Sequence, residues 1–95
     1  MNLVIKKAAL NTILEVATWV ESQNTEGAGS RWYNKLIDEL EKSATLHLHL
    51  AICKNHDLAL LKYHCLTYQK KWIVAYKIQR NRFVIYRFLH GAWLK

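Results

Sequence analysis

The chain has 95 residues, a hydrophobic share of 52% and a formal net charge of +7. That is one domain, residues 1–95, with enough apolar content for a core and too much for disorder. The charge is unevenly spread. Residues 1–57 hold six bases and seven acids, whereas residues 58–95 hold eight bases and no acid.

In chain order, Leu3, Val4 and Ile5 suit a short first strand. Lys6 and Lys7 precede an apolar stretch, as in a signal peptide. Asn11, Thr12 and Glu15 interrupt that stretch, and no small-residue cleavage site follows before Glu21. It is too short and polar to span a bilayer, so no membrane association is expected. Over residues 7–21, Leu10, Ile13, Leu14, Ala17 and Val20 recur at helical steps and predict an amphipathic helix. After a polar break at residues 22–25, Trp32, Tyr33, Leu36, Ile37, Leu40 and Ala44 predict a second helix. Thr25 or Ser30 is its expected cap, and Gly27 and Gly29 are expected to loosen its first turn. Asp38 and Lys42 on its outer face are spaced for an i,i+4 ion pair. Two such helices joined by a short loop pack as an antiparallel hairpin.

Residues 45–57 read as a helix end followed by a loop. Residues 58–66 are expected to form a strand, with Leu61, Tyr63 and Cys65 on one face and Lys62 and His64 on the other. Two runs rich in β-branched and aromatic residues, 72–78 and 83–89, flank the hinge Gln79-Arg80-Asn81-Arg82 and predict paired antiparallel strands. Alternation puts Lys71, Ile73, Ala75 and Lys77 opposite Trp72, Val74 and Tyr76. It groups Arg87 with Phe83, Ile85 and Leu89, and His90 with Tyr86 and Phe88. The expected fold is α+β: an N-terminal strand, then an antiparallel two-helix hairpin packed on a small, twisted, mainly antiparallel sheet.

Little chemistry is suggested. His47, His49, Cys53 and His56 crowd into ten positions, but their spacing matches no common zinc motif, and no metal is expected. Cys53 and Cys65 make no disulfide framework, so a reducing cytoplasm fits best. No phosphate loop, activated nucleophile or acid pair is present, and no cofactor is expected. General acid–base cleavage of RNA stays open, because Lys62, His64, Lys71, Tyr76, Arg87 and His90 are the residue types it needs. A one-signed basic sheet also attracts polyanions or an acidic chain, although edge lysines can serve only to prevent aggregation. Among the four tryptophans, Trp93 stands out on the terminal tail, where a large apolar residue is exposed unless something covers it.

The segment KKWIVAYKIQRNRFVIYRFLHGAWLK resembles the last two strands of the ParE/RelE toxin superfamily. There Lys71-Trp72 stands for an Arg-Tyr pair, Tyr76 for a tyrosine, and Arg87-Phe88-Leu89-His90-Gly91 for Arg-Val-Leu-His-Gly. The spacing of Trp32 and Leu36 is similar to the aromatic–leucine spacing of the family's second helix. The resemblance implies a ParE-like toxin of a type II toxin–antitoxin system, of the kind that stabilises plasmids in bacteria. Such a toxin binds DNA gyrase and is neutralised by a cognate antitoxin. Lys71, Trp72, Arg87, His90 and Trp93 are then the expected partner-binding residues. The alternative it implies is a RelE-like, ribosome-dependent mRNA endoribonuclease using Lys62, Lys71, Arg87 and His90. Ile73, where RelE-like chains carry arginine, and Ala92-Trp93, in place of two terminal bases, weigh against that enzyme. A third reading is a relic that binds its antitoxin and harms nothing.

Overall fold

The computed structural model describes residues 1–46 and 52–93, with Trp93 described by its backbone alone. In order it has β1 (Asn2–Ile5), α1 (Lys7–Gln23), α2 (Ala28–Thr45), α3 (His56–Leu60), β2 (His64–Tyr68), β3 (Trp72–Gln79), β4 (Arg82–His90) and a 3-10 turn, Gly91–Trp93. The strands form one mixed sheet in the order β1-β4-β3-β2. β1 runs parallel to β4, from Asn2 opposite Arg82 to Ile5 opposite Ile85, and the other pairs are antiparallel. The α+β class, the first strand, both long helices and the β3–β4 hairpin are as expected.

The hairpin turn is two residues, Arg80 and Asn81, both left-handed at φ 50° and 61°. Two left-handed residues match the twist of the strands they join, which is why a tight hairpin closes here. Halfway along, β4 departs from simple alternation. Ala75 pairs with Arg87 but Tyr76 pairs with Ile85, leaving Tyr86 as an extra residue. Such a bulge reverses the side-chain alternation on one strand only. Phe83 and Ile85 before it, and Phe88 after it, therefore all enter the core with Trp72, Val74 and Tyr76. The expected grouping across Tyr86 is corrected accordingly. Arg87 keeps company with Leu89 and Ala75, not with Phe83 and Ile85, and Tyr86 lies on the face opposite Phe88.

Ala9, Ile13 and Val16 of α1 and Leu36, Leu40 and Ala44 of α2 supply the helical side of that core. The helices meet closely. A Cβ on Gly29 would collide with the carbonyl oxygen of Ala17 and lie 3.1 Å from Glu21 Cβ. Gly29 thus permits the helix crossing and does not merely loosen a turn.

Neither Thr25 nor Ser30 caps α2. Its N-cap is Gly27, at φ 85°, without a side-chain cap of its own. The cap comes from the neighbouring helix: Glu21 Oε2 accepts from Gly27 N and Oε1 from Gly29 N, each at 2.8 Å. On the outer face of α2, Lys42 pairs with Glu39 at 3.7 Å, not with Asp38, and both groups are well exposed. One helical turn brings Glu39 as near as Asp38, and such exposed pairs contribute little.

Residues 58–66 do not form one strand. Asn55 caps α3, its Oδ1 accepting from Leu58 N at 3.2 Å, and Lys62 turns the chain at φ 60°. The strand begins only at His64. Leu58, Cys53, Tyr63 and Ala75 make a second small buried cluster on the sheet face away from the long helices, flanked by Cys65, Tyr86 and Leu89. Cys53 and Cys65 are joined there as a disulfide, their Cα atoms 4.9 Å apart, which corrects the reading of two unpaired thiols. The twelve-residue separation folds back through α3, and that return is what brings the two sulfurs together. The alternating residues 46–50 lie mostly outside the described residues. None of the described helices is long and apolar enough to cross a membrane.

The cap predicts an acid sensitivity. Hydrogen bonds from Gly27 and then Gly29 lower the Glu21 pKa from its ordinary 4.5; burial opposes them with a smaller effect, and the Arg31 charge adds the smallest lowering. Because folding depresses this pKa, the stabilisation is present above 4.5 and is lost as pH falls through the lower folded value. Glu21→Gln should melt below the wild type at pH 7, and the gap should close on acidification. Thermal melts from pH 7 down to 3 measure it, and a pH-independent gap would assign the cap to geometry and not to charge.

Candidate functional site

The sequence-predicted residues divide into three places. Lys71, Trp72 and His90 come together at the end of the sheet where β3 begins and β4 ends. Trp72 and His90 are direct cross-strand partners, their rings 5.0 Å apart and edge to face. Gly91 N donates to Lys71 O at 2.7 Å, tying the chain after β4 to the start of β3. Ala92 N donates to His90 Nδ1 at 3.1 Å, which makes that nitrogen an acceptor in this arrangement. Across from these residues lies α1. Together they line a groove of about 430 Å³, to which α1 contributes Thr12, Glu15, Val16 and Trp19.

Trp72 is not an exposed anchor. It is 7% exposed, stacks on Phe88 at 5.0 Å and meets Trp32 edge-on at 6.2 Å. The exposed tryptophan is Trp19, at 60%, which the sequence reading left unassigned. Its signal was available, because Trp19 falls off the apolar stripe through Ile13, Ala17 and Val20. The side chain of Trp93 lies outside the described residues.

Arg87 lies elsewhere. Opposite Ala75 and beyond the bulge, it belongs to the face away from the long helices, while Trp72 and His90 belong to the helix side. Lys62 is at the other end of the sheet, in the turn before His64, whose partner is Tyr76 and not Trp72. The four residues considered for RNA cleavage thus occupy two faces and both ends of β3.

The same face as Arg87 carries a patch that sequence reasoning missed. Lys77 Nζ lies 4.9 Å from the Tyr63 ring and 5.6 Å from the Tyr86 ring, and Lys6 Nζ lies 5.8 Å from Tyr86. The two tyrosine rings are 5.3 Å apart, and Tyr86 Oη donates to Gln79 Oε1 at 2.7 Å. Ammonium groups over aromatic faces are attracted by the ring quadrupole. Strand alternation places Lys77 correctly, but only the bulge turns Tyr86 toward it. The patch offers cations and flat aromatic surface to an anionic chain.

Cys53 is bonded to Cys65 and is not available as a metal ligand; among the described residues no cluster of three ligating side chains occurs. His47 and His49 lie outside the described residues. On the helix side, burial and then the Glu39 charge raise the Tyr68 pKa.

No protein-family model, curated protein or solved structure matches the chain.

The two tryptophans make a direct test of core against contact roles. Trp72→Ala should cost about 3–5 kcal/mol of stability, as for a large aromatic removed from a packed core. Trp19→Ala should stay within about 0.5 kcal/mol, as for an exposed position. Urea unfolding of both variants decides it, and equal losses would show that Trp19 packs as deeply as Trp72.

Proposed function

We propose that this chain is the toxin of a type II toxin–antitoxin pair, ParE-like in kind, which acts by binding an essential target and not by catalysis. DNA gyrase is the proposed target, a cognate antitoxin the neutralising partner and the cytoplasm the place of action. The observation that supports binding over cleavage is the dispersal of Lys62, Lys71, Arg87 and His90. A phosphoryl-transfer site needs its base, acid and cations within hydrogen-bond reach of one phosphate. Residues on opposite faces of one sheet cannot meet that condition together.

The support for the family is the sequence resemblance. Arg87 to Gly91 end β4, and Lys71-Trp72 open the strand that pairs with them. The basic face with Lys6, Lys77, Tyr63, Tyr86 and Arg87 suits an acidic, disordered antitoxin tail that folds as it docks. Opposite charge steers the encounter, and tyrosine surface supplies contact area.

The test is pulse-labelling of DNA and protein synthesis in a bacterial host after inducing this chain alone. DNA synthesis should stop first, with filamentation, and Lys71→Ala combined with Arg87→Ala should leave messenger RNA intact in both cases. Protein synthesis stopping first, with RNA cleavage lost in the double variant, would replace binding with the endoribonuclease. Growth unaffected by accumulated folded protein would mean a relic that binds only its antitoxin.

A further inference from the structure

The segment 52–62 is a small flap on the sheet. It crosses the face opposite the long helices, and its one regular element, α3, is five residues long with a single buried side chain, Leu58. Leu60 and Leu61, next in the chain, are 67% and 55% exposed and contribute no anchor. Among the described residues, its backbone ties to the sheet are few. Ile52 makes an isolated bridge to His64, Cys53 N donates to Tyr63 O at 2.9 Å, and Tyr63 N donates to Leu58 O at 3.1 Å. A further tie is covalent: the Cys53–Cys65 bond fastens the start of the flap to β2. A segment held by two small buried side chains, Cys53 and Leu58, and a few backbone bonds opens locally at small free-energy cost unless a cross-link prevents it.

What the flap packs against is also specific: Cys53 and Leu58, its own buried residues, close over Tyr63 and Ala75. Cys53 is 4% exposed, Tyr63 8% and Ala75 0%, and all three belong to the cluster closed by Leu58. Ala75 lies at the middle of β3 with the opposite register partner Arg87, and Leu89 and Tyr86 flank the same cluster. Lifting the flap would therefore join an apolar centre, Ala75 and Leu89, to the surrounding cations Lys77 and Arg87.

We propose that the Cys53–Cys65 disulfide is a redox latch on this flap. A dithiol reductant opens the latch and uncovers the centre of the basic sheet face. One thiolate of the reductant attacks a cystine sulfur and breaks the Sγ–Sγ bond, giving a mixed disulfide. Its second thiol then closes the reductant's own disulfide and releases the other cysteine. Two electrons and two protons end on Cys53 and Cys65 as thiols, and the dithiol leaves oxidised by two electrons. In a reducing compartment the flap is released, and under oxidising conditions it is fastened. The latch rests on the geometry of the flap and does not depend on the toxin reading. It adds to that reading a state in which the docking face is larger.

Hydrogen exchange on the intact chain tests it, with and without excess dithiothreitol, alongside a Cys53→Ala, Cys65→Ala variant without reductant. Thiol titration of the unreduced protein should find no free thiol. On reduction, the amides of Cys53, Leu58, Ala59 and Tyr63 should exchange at least about tenfold faster, while Val74, Tyr76 and Phe83 keep their protection. The double variant should reproduce the reduced pattern. Two free thiols before reduction, or flap amides that stay protected after it, would overturn the latch. Equal loss of protection at Val74, Tyr76 and Phe83 would overturn it too, because the bond would then hold the whole fold. Reduction of the native chain gives the answer even if the variant does not fold. Growth arrest in cells is a separate readout, so failure of the toxin reading leaves this result unaffected.

Discussion

The extra residue at Tyr86 decides what each end of β4 can do. Before the bulge, odd-numbered residues Phe83 and Ile85 point to the helices; after it, even-numbered Phe88 takes that side. A regular β4 would have sent Arg87 into a core formed by Ile13, Leu36 and Leu40, where an unpaired guanidinium is costly to bury. The bulge moves Arg87 out and brings Phe88 in, onto the Trp72 ring at 5.0 Å. One inserted residue thereby gives the strand a continuous apolar side and a separate basic side.

The two sides then have different physical characters. The helix side is closed by stacked aromatics, with Tyr76 on Phe83 at 4.3 Å and Trp72 on Phe88, and by the tight crossing at Gly29. A groove opens at its Trp72–His90 end, beside exposed Trp19. The other side is thinly covered. A four-residue buried cluster under a short flap is much smaller than the main core, and its rim carries Lys77, Arg87 and Lys6. Stability is concentrated in one layer and accessible charge in the other.

Much of this was legible in the sequence. The period-3.6 stripes placed both long helices, and the β-branched runs placed β3 and β4 to within a residue at their ends, because each signal extends over many residues. What the sequence concealed depends on single residues acting at a distance. A bulge changes one register step and leaves composition untouched. The α2 cap comes from Glu21, six and eight residues before the amides it satisfies, where a local search finds only Thr25 and Ser30. Leu58 to Leu61 fit a strand by composition, and Asn55 tips them into a helical turn by capping it. Alternation set Lys71 on the face opposite Trp72, and the meeting of Lys71, Trp72 and His90 at one end of the sheet follows from the strand register. Arg87 was assigned to the wrong company by alternation, and the partners of Lys77 were invisible until Tyr86 was turned.

The charge asymmetry acquires a structural meaning from this arrangement. Every acid of the chain lies at or before residue 57, and Asp38, Glu39 and Glu41 all belong to α2, on the far side of the core from Lys77 and Arg87. The molecule is thus polar across its thickness, with a near-neutral helical layer and a cationic sheet. An approaching anionic chain feels an orienting field as well as a net attraction, and it meets the sheet face first. On that face Lys77 already lies over two tyrosine rings. A lysine held by aromatic faces loses less rotational freedom on binding than one extended into water, and it keeps a favourable contact as its hydration is removed. On the proposed reading, that combination suits direct contact with an acidic segment.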